Sequence, residues 1–182
     1  MTDRPLARAR AFPDRLATPA LGAAGAMISL RIPGFADLCL EHLVLDFNGT
    51  LAEDGTLLAG VRTVLAALAG DLTIHVVTAD TFGRAAEELD GLPVRLTVLP
   101  GDDQADAKLS YVQALGTDRV VAVGNGRNDR KMLAAAALGI AVVQREGGAS
   151  DTLAAADVVV TGVLDALELL RHPTRLVATL RS

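Results

Sequence analysis

"LVLDFNGTLAEDG", residues 43–55, runs three apolar residues into a carboxylate, Asp46, and then into Asn48-Gly49-Thr50. A buried strand that ends on an aspartate and a glycine turn places a charged group where a parallel sheet usually binds its ligand. The rest of the chain repeats the pattern. Short apolar, β-branched runs stand at 42–46 (HLVLD), 72–78 (LTIHVVT), 93–99 (PVRLTVL), 119–124 (RVVAVG), 140–143 (IAVV) and 157–160 (DVVV), with an earlier one, MISLRI, from Met27. Helix-like stretches at 59–70, 81–91, 103–116, 128–139 and 163–170 alternate with them, and several end on glycine. Near-continuous apolar strands alternating with helices predict an α/β protein: a Rossmann-like, three-layer fold with a central, mainly parallel sheet.

A chain of 182 residues holds one such domain with a sizeable core. Residues 1–26, rich in Ala, Arg and Pro, read as a flexible N-terminal extension, and 27–182 as a single domain. Arginines before an uncharged stretch at 16–30 faintly resemble a signal peptide, but Pro19, Gly22 and Gly25 interrupt it. A net charge of −5 and an aromatic share of 3% argue against nucleic acid and anionic membrane as partners. Cys39 is the single cysteine, which excludes an internal disulfide and suits a cytoplasmic location. Lysine occurs twice, at 108 and 131, against fifteen arginines.

The residues just beyond the strands crowd together in such a fold. The first long run delivers Asp46, Asn48, Gly49 and Thr50. The next delivers Thr78, Ala79 and Asp80. A later one delivers Gly124, Asn125 and Gly126, then Asn128 and Asp129, and Lys108 lies in the helix between the last two clusters. Singly, these are ordinary turn and capping residues. Together they have one chemical purpose. A strand-end aspartate can attack phosphorus and form an acyl phosphate. The Thr78 hydroxyl, backbone N–H groups near Asn48, Gly49 and Ala79, and the Lys108 ammonium would neutralise the phosphoryl oxygens. Mg2+ would complete the cage on Asp46, the carbonyl of Asn48 and the Asn125–Asp129 loop.

The segments DFNGT, TAD and GNGRND resemble, in this order, the motifs of the haloacid dehalogenase-like (HAD) hydrolase superfamily, nearest to the phosphorylation domain of P-type ATPases and their small soluble relatives. The resemblance spans roughly residues 27–170. It implies Asp46 as phosphoryl acceptor, Thr78 as phosphate ligand, Lys108 as the neutralising lysine, Asn125 as a direct metal ligand, and Asp129 holding the metal or its waters. Gly49, Thr50 and Ala79 then belong to the substrate cradle, and Asn128 supports the loop.

Two positions depart from the phosphatase pattern. Asn48 stands where an aspartate would protonate the leaving group and activate water. Asn125 replaces a carboxylate near the metal. The 27 residues between Thr50 and Thr78 and the 29 between Thr78 and Lys108 leave no room for a large cap. The site is therefore expected to be capless and open, unless a second copy of the chain covers it. Asp46 itself reads as an unbonded strand-end carboxylate that contributes little to the core. His75 reads as a core or cross-sheet residue, and Asp80 as the best local substitute acid.

The expected activity is a magnesium-dependent phosphohydrolase acting through phospho-Asp46 on a phosphorylated small molecule or phosphoprotein, slowed by Asn48. The rival reading is a non-hydrolytic module that binds a phosphorylated ligand or acts as a switch. A receiver-type signalling domain fits less well, because receivers lack the Gly-Thr turn.

Overall fold

The computed structural model describes residues 27–100 and 102–182, so the expectations for 1–26 lie outside the described residues. In chain order the elements are β1 (Ile28–Ile32), β2 (Ala36–Leu40), β3 (His42–Leu45), β4 (Ala52–Glu53), β5 (Thr56–Leu57), α1 (Val61–Leu68), β6 (Thr73–Thr78), α2 (Ala85–Glu88), β7 (Val94–Val98), α3 (Gln104–Leu115), β8 (Val120–Gly124), α4 (Arg130–Ala135), β9 (Leu138–Val142), α5 (Ser150–Ala155), β10 (Val158–Val160), α6 (Val163–Arg171) and α7 (Pro173–Leu180).

Six of the strands form one parallel sheet in the order β10-β9-β8-β3-β6-β7. The chain leaves β3 toward β6 and β7, then returns to its other side for β8, β9 and β10. Strand order therefore reverses at β3, the place where open α/β sheets bind ligands at their carboxyl ends. The register sets Leu45 of β3 beside Val76 of β6 and Val123 of β8. Asp46, Thr78 and Asn125 consequently leave the sheet side by side.

Helices cover both faces, which gives the expected three layers. Strand side chains alternate between the two. Val44, Val77, Ala122 and Ala141 pack with Val112 of α3 and with Met132 and Leu133 of α4. Leu43, Leu45, Val76 and Val121 face the opposite way, onto Leu65 and Leu68 of α1, Leu167 and Leu170 of α6, and Leu176 of α7. Every residue of β8 and β9 is buried, as strands covered on both faces must be.

The structure corrects the sequence reading in several places. Residues 36–40 pair with β1 as an antiparallel hairpin whose alternate residues are buried on one face only. Residues 52–57 form a second small hairpin, turning on Asp54 and Gly55 at φ 50° and 75°. Asp-Gly with both residues in the left-handed region is the preferred two-residue hairpin turn. The helix expected over 81–91 shrinks to one turn. Asp80 and Gly83 adopt positive φ and break it. The helix expected through 139 ends at Ala135, because Leu138 and Gly139 already belong to β9.

Candidate active site

Asp46 follows the last residue of β3, and its backbone N–H still donates to Val123 O at 3.0 Å. The next residues fold back at once: the N–H groups of Thr50, Leu51 and Ala52 all point at Phe47 O. Gly49 occupies this turn at φ 76°, and a Cβ there would stand 2.4 Å from the Asn125 amide nitrogen. Both its conformation and the approach of Asn125 require glycine. Gly124 is constrained by space alone, since a Cβ would lie 2.5 Å from the Asp129 carboxylate.

Asp46, Lys108 and Asp129 form a buried charge cluster. Lys108 is fully buried on α3, Asp129 fully buried, and Asp46 7% exposed. Lys108 Nζ donates to Asp46 Oδ1 at 2.5 Å and to Asp129 Oδ1 at 2.6 Å. Thr50 Oγ1 lies 3.3 Å from Asp46 Oδ2 and 3.2 Å from Asn125 Oδ1. The Thr50 hydroxyl has one proton to give to either oxygen, but Asp46 is bonded to Lys108 in any case, which corrects the expectation of an unbonded carboxylate. Burial works against the Lys108 charge, yet the two carboxylates outweigh it and hold its pKa above that of ordinary lysine. Burial raises Asp129 to about 6, the Asp46 charge adds to the rise, and Lys108 opposes it.

Asp129 also shapes the loop after β8. Its Oδ2 accepts the N–H groups of Asn125 and Gly126 at 3.0 and 2.8 Å. Asn125 turns its amide N–H to Gly147 O at 3.0 Å. Asn128, one residue before Asp129, donates to Gln104 Oε1 at 2.8 Å and ties this loop to the start of α3.

At the end of β6, Thr78 is buried and its Oγ1 accepts the Asp80 N–H at 2.9 Å, which leaves the hydroxyl proton for a further acceptor. Asp80 Oδ1 accepts the N–H groups of Arg84 and Ala85, both at 3.0 Å. This carboxylate caps the turn into α2. Ala79 lies between them, half-buried. Asn48 is half-buried, and its Oδ1 is a buried oxygen with no hydrogen-bond partner. An unpaired buried acceptor costs about 1–3 kcal/mol, so this amide is poised for a donor from outside the chain.

Sequence reasoning missed Gln144, just beyond β9. Its amide donates to Gly49 O at 3.0 Å and Thr50 O at 2.8 Å and accepts the Val163 N–H at 2.8 Å. It clamps the turn after Asp46 to α6. A cavity of about 490 Å³ adjoins this clamp, lined among others by Gly49, Glu53, Gln144, Arg145 and Glu146.

The donors at the strand ends are oxygens: the Asp46 carboxylate, the amide oxygens of Asn48 and Asn125, and backbone carbonyls. Such a set suits a hard divalent cation that keeps most of its waters. Among the described residues no three His, Cys, Asp or Glu side chains gather as a ready-made metal cage. No described helix is long and apolar enough to cross a membrane.

No family model matches the chain. An uncharacterized protein from Methanocaldococcus jannaschii is 42% identical over 79 residues, which are 41% of this chain and 85% of that protein. Among solved structures, a Legionella pneumophila protein described as a HAD superfamily (subfamily III A) hydrolase superposes with TM-score 0.62 at 16% identity, covering 77% of this chain and 86% of that one. The 3-deoxy-D-manno-octulosonate 8-phosphate phosphatase from Moraxella catarrhalis, solved with magnesium, phosphate and its sugar acid, superposes with TM-score 0.57 at 20% identity over 77% and 92% of the two chains. A cobalt-bound phosphatase of the same description from Haemophilus influenzae gives TM-score 0.61 at 12% identity over 79% and 94%. The chain belongs to one family with the Methanocaldococcus jannaschii protein, and its fold is that of the HAD superfamily hydrolases.

Proposed function

We propose that this protein is a magnesium-dependent phosphohydrolase that works through an aspartyl-phosphate on Asp46. The observation that carries the reading is the Lys108 ammonium, buried between Asp46 and Asp129 at the switch point of the sheet. A buried cation beside a strand-end carboxylate suits a dianionic phosphoryl group, which needs positive charge close to the nucleophile. The phosphatases that share the fold support it as well.

In the first half-reaction an Asp46 oxygen forms a bond to phosphorus as the bond from phosphorus to the leaving oxygen breaks. Lys108 and the free proton of Thr78 face the non-bridging oxygens, with backbone N–H groups near Ala79. Mg2+ held by Asp46, the carbonyl of Asn48 and Asn125 would neutralise charge on those oxygens. Asn48 carries no acidic proton, so the leaving oxygen departs with its electron pair and takes a proton from water. In the second half-reaction water attacks the phosphorus of phospho-Asp46. Phosphate leaves, the carboxylate is restored, and the water's proton passes to solvent.

Two further features bear on the substrate. Asp80 spends its Oδ1 on capping the turn into α2. The cavity beside Gly49 offers room for the non-phosphoryl part of a small substrate. The amides at 48 and 125 also favour a second reading, in which phospho-Asp46 persists and the protein acts as a switch. A screen of phosphorylated metabolites in magnesium, run beside Asp46→Asn, tests the proposal. Turnover lost in the variant supports it, and equal turnover in both proteins removes it.

A further inference from the structure

His42, His75 and Tyr111 form a polar chain inside the apolar layer between the sheet and α3. His75 Nδ1 lies 2.9 Å from the Tyr111 hydroxyl, and His75 Nε2 lies 3.2 Å from His42 Nδ1. The rings meet edge to face, with centroids 5.2 and 5.6 Å apart. His75 is 1% exposed. Burial, with the charges of His42 and Arg95, holds it neutral with a pKa of about 4. A neutral imidazole donates from one nitrogen and accepts at the other, which is what this chain requires of it.

The placement of the three residues is systematic. His42 stands on β3 four residues before Asp46. His75 stands on β6 three residues before Thr78. Tyr111 follows Lys108 by three residues on α3, and so shares its face of the helix. His42 and Val44, like His75 and Val77, share one face of the sheet, and both valines belong to the core under α3. The chain therefore ties together the three elements that deliver the nucleophile, the hydroxyl and the ammonium, one layer below the site. Directional hydrogen bonds fix the axial position of α3.

We infer that His75, bridging His42 and Tyr111, is a positioning residue: the chain locks α3 against β3 and β6 and so places Lys108 Nζ between Asp46 and Asp129. The position of Lys108 is a matter of geometry, and only its kinetic consequence rests on the phosphohydrolase reading.

Lysine labelling tests it directly, because the sequence has two lysines. Protein grown with [15N]lysine gives one side-chain signal from buried Lys108 and one from Lys131, which pairs with Asp106 at the surface. Tyr111→Phe and His75→Leu are expected to shift the Lys108 signal and leave Lys131 in place. His75→Gln, which keeps a donor and an acceptor, is expected to restore much of the wild-type shift. With p-nitrophenyl phosphate, the first two variants should lose up to about 10²-fold in kcat with little change in KM, as a nearby misplacement does. An unmoved Lys108 signal in a folded variant overturns the inference, and so does an equal shift of both lysines, which marks general loosening. If His75→Leu fails to fold, Tyr111→Phe carries the test, since it removes one hydroxyl only. If the wild type turns over no aryl phosphate, the phosphohydrolase reading fails and the lysine spectra still decide this one.

Discussion

The ammonium of Lys108 lies 2.5 Å from Asp46 Oδ1, with no exposed surface of its own. The same nitrogen reaches Asp129 at 2.6 Å, so one cation serves two buried carboxylates. Lys108→Met keeps the apolar stem and removes the charge, which leaves the two acids facing each other. Removing one member of a buried ion pair costs roughly 3–5 kcal/mol. Urea unfolding of this variant is expected to show a loss of that order, together with loss of turnover. A change below about 1 kcal/mol would mean that the cluster is solvated.

Asp46→Asn is a milder change, because Lys108 keeps Asp129 as its partner. The variant is expected to fold, to lose turnover, and to show Asp129 titrating below its wild-type value of about 6. The Asp46 charge that helps to raise it is gone. Carboxyl-carbon NMR across pH 3–8 reads this shift, and an unmoved Asp129 would contradict the coupling.

His75 gives the fold an acid-sensitive component. Its folded pKa is depressed to about 4, against an ordinary value of 6.5. Between those values the unfolded chain binds a proton that the folded chain does not, so stability from His75 is full above 6.5 and falls as the pH drops toward 4. The loss amounts to about 3 kcal/mol at most. Asp129, raised to about 6, works in the opposite sense over much of this window. The informative measurement is therefore the wild type against His75→Gln, both unfolded in urea at pH 7 and pH 4.5. The wild type's advantage should shrink at the lower pH. A constant difference would mean that His75 titrates normally.

Asn125→Asp adds a carboxylate for a metal ion at a structural cost. The amide it replaces donates to Gly147 O, and a carboxylate there would oppose that carbonyl. The metal-free variant is expected to lose about 1–3 kcal/mol, as an unmatched buried acceptor does, and to gain more than the wild type from magnesium in thermal unfolding. If magnesium stabilises both proteins equally, residue 125 is not near the cation.

In the proposed mechanism the amide at 48 would set the substrate preference. Aryl and acyl phosphates are expected to turn over and simple alkyl phosphates hardly at all. Asn48→Asp should raise alkyl-ester turnover by up to about 10²–10⁴, the usual worth of general acid–base help. Steady-state rates on a leaving-group series check this. Rapid alkyl-ester hydrolysis by the wild type would mean that another group supplies the proton.

The parallel sheet was legible because strands buried on both faces leave unbroken apolar runs, and the groups at their ends declared themselves by position. Asp46 and Thr50 touch Lys108 and Asn125 respectively, across 62 and 75 residues of chain. Both hairpins were harder to see. Their strands are short, and β1 and β2 bury only alternate residues, so their apolar signal is half that of a central strand. Gln144 was invisible for a different reason. Its three partners are backbone groups, which any sequence offers everywhere. The His42–His75–Tyr111 chain joins residues 33 and 36 apart, and no local pattern couples them.

The most direct measurement is of the proposed nucleophile. Protein mixed with an aryl or acyl phosphate in magnesium, quenched in acid and reduced with borohydride, converts any phosphoaspartate to homoserine, which mass spectrometry locates. A nucleophilic Asp46 predicts homoserine at residue 46 alone, and none in Asp46→Asn. Substrate turnover with no modification at Asp46, or modification at another carboxylate, would contradict it.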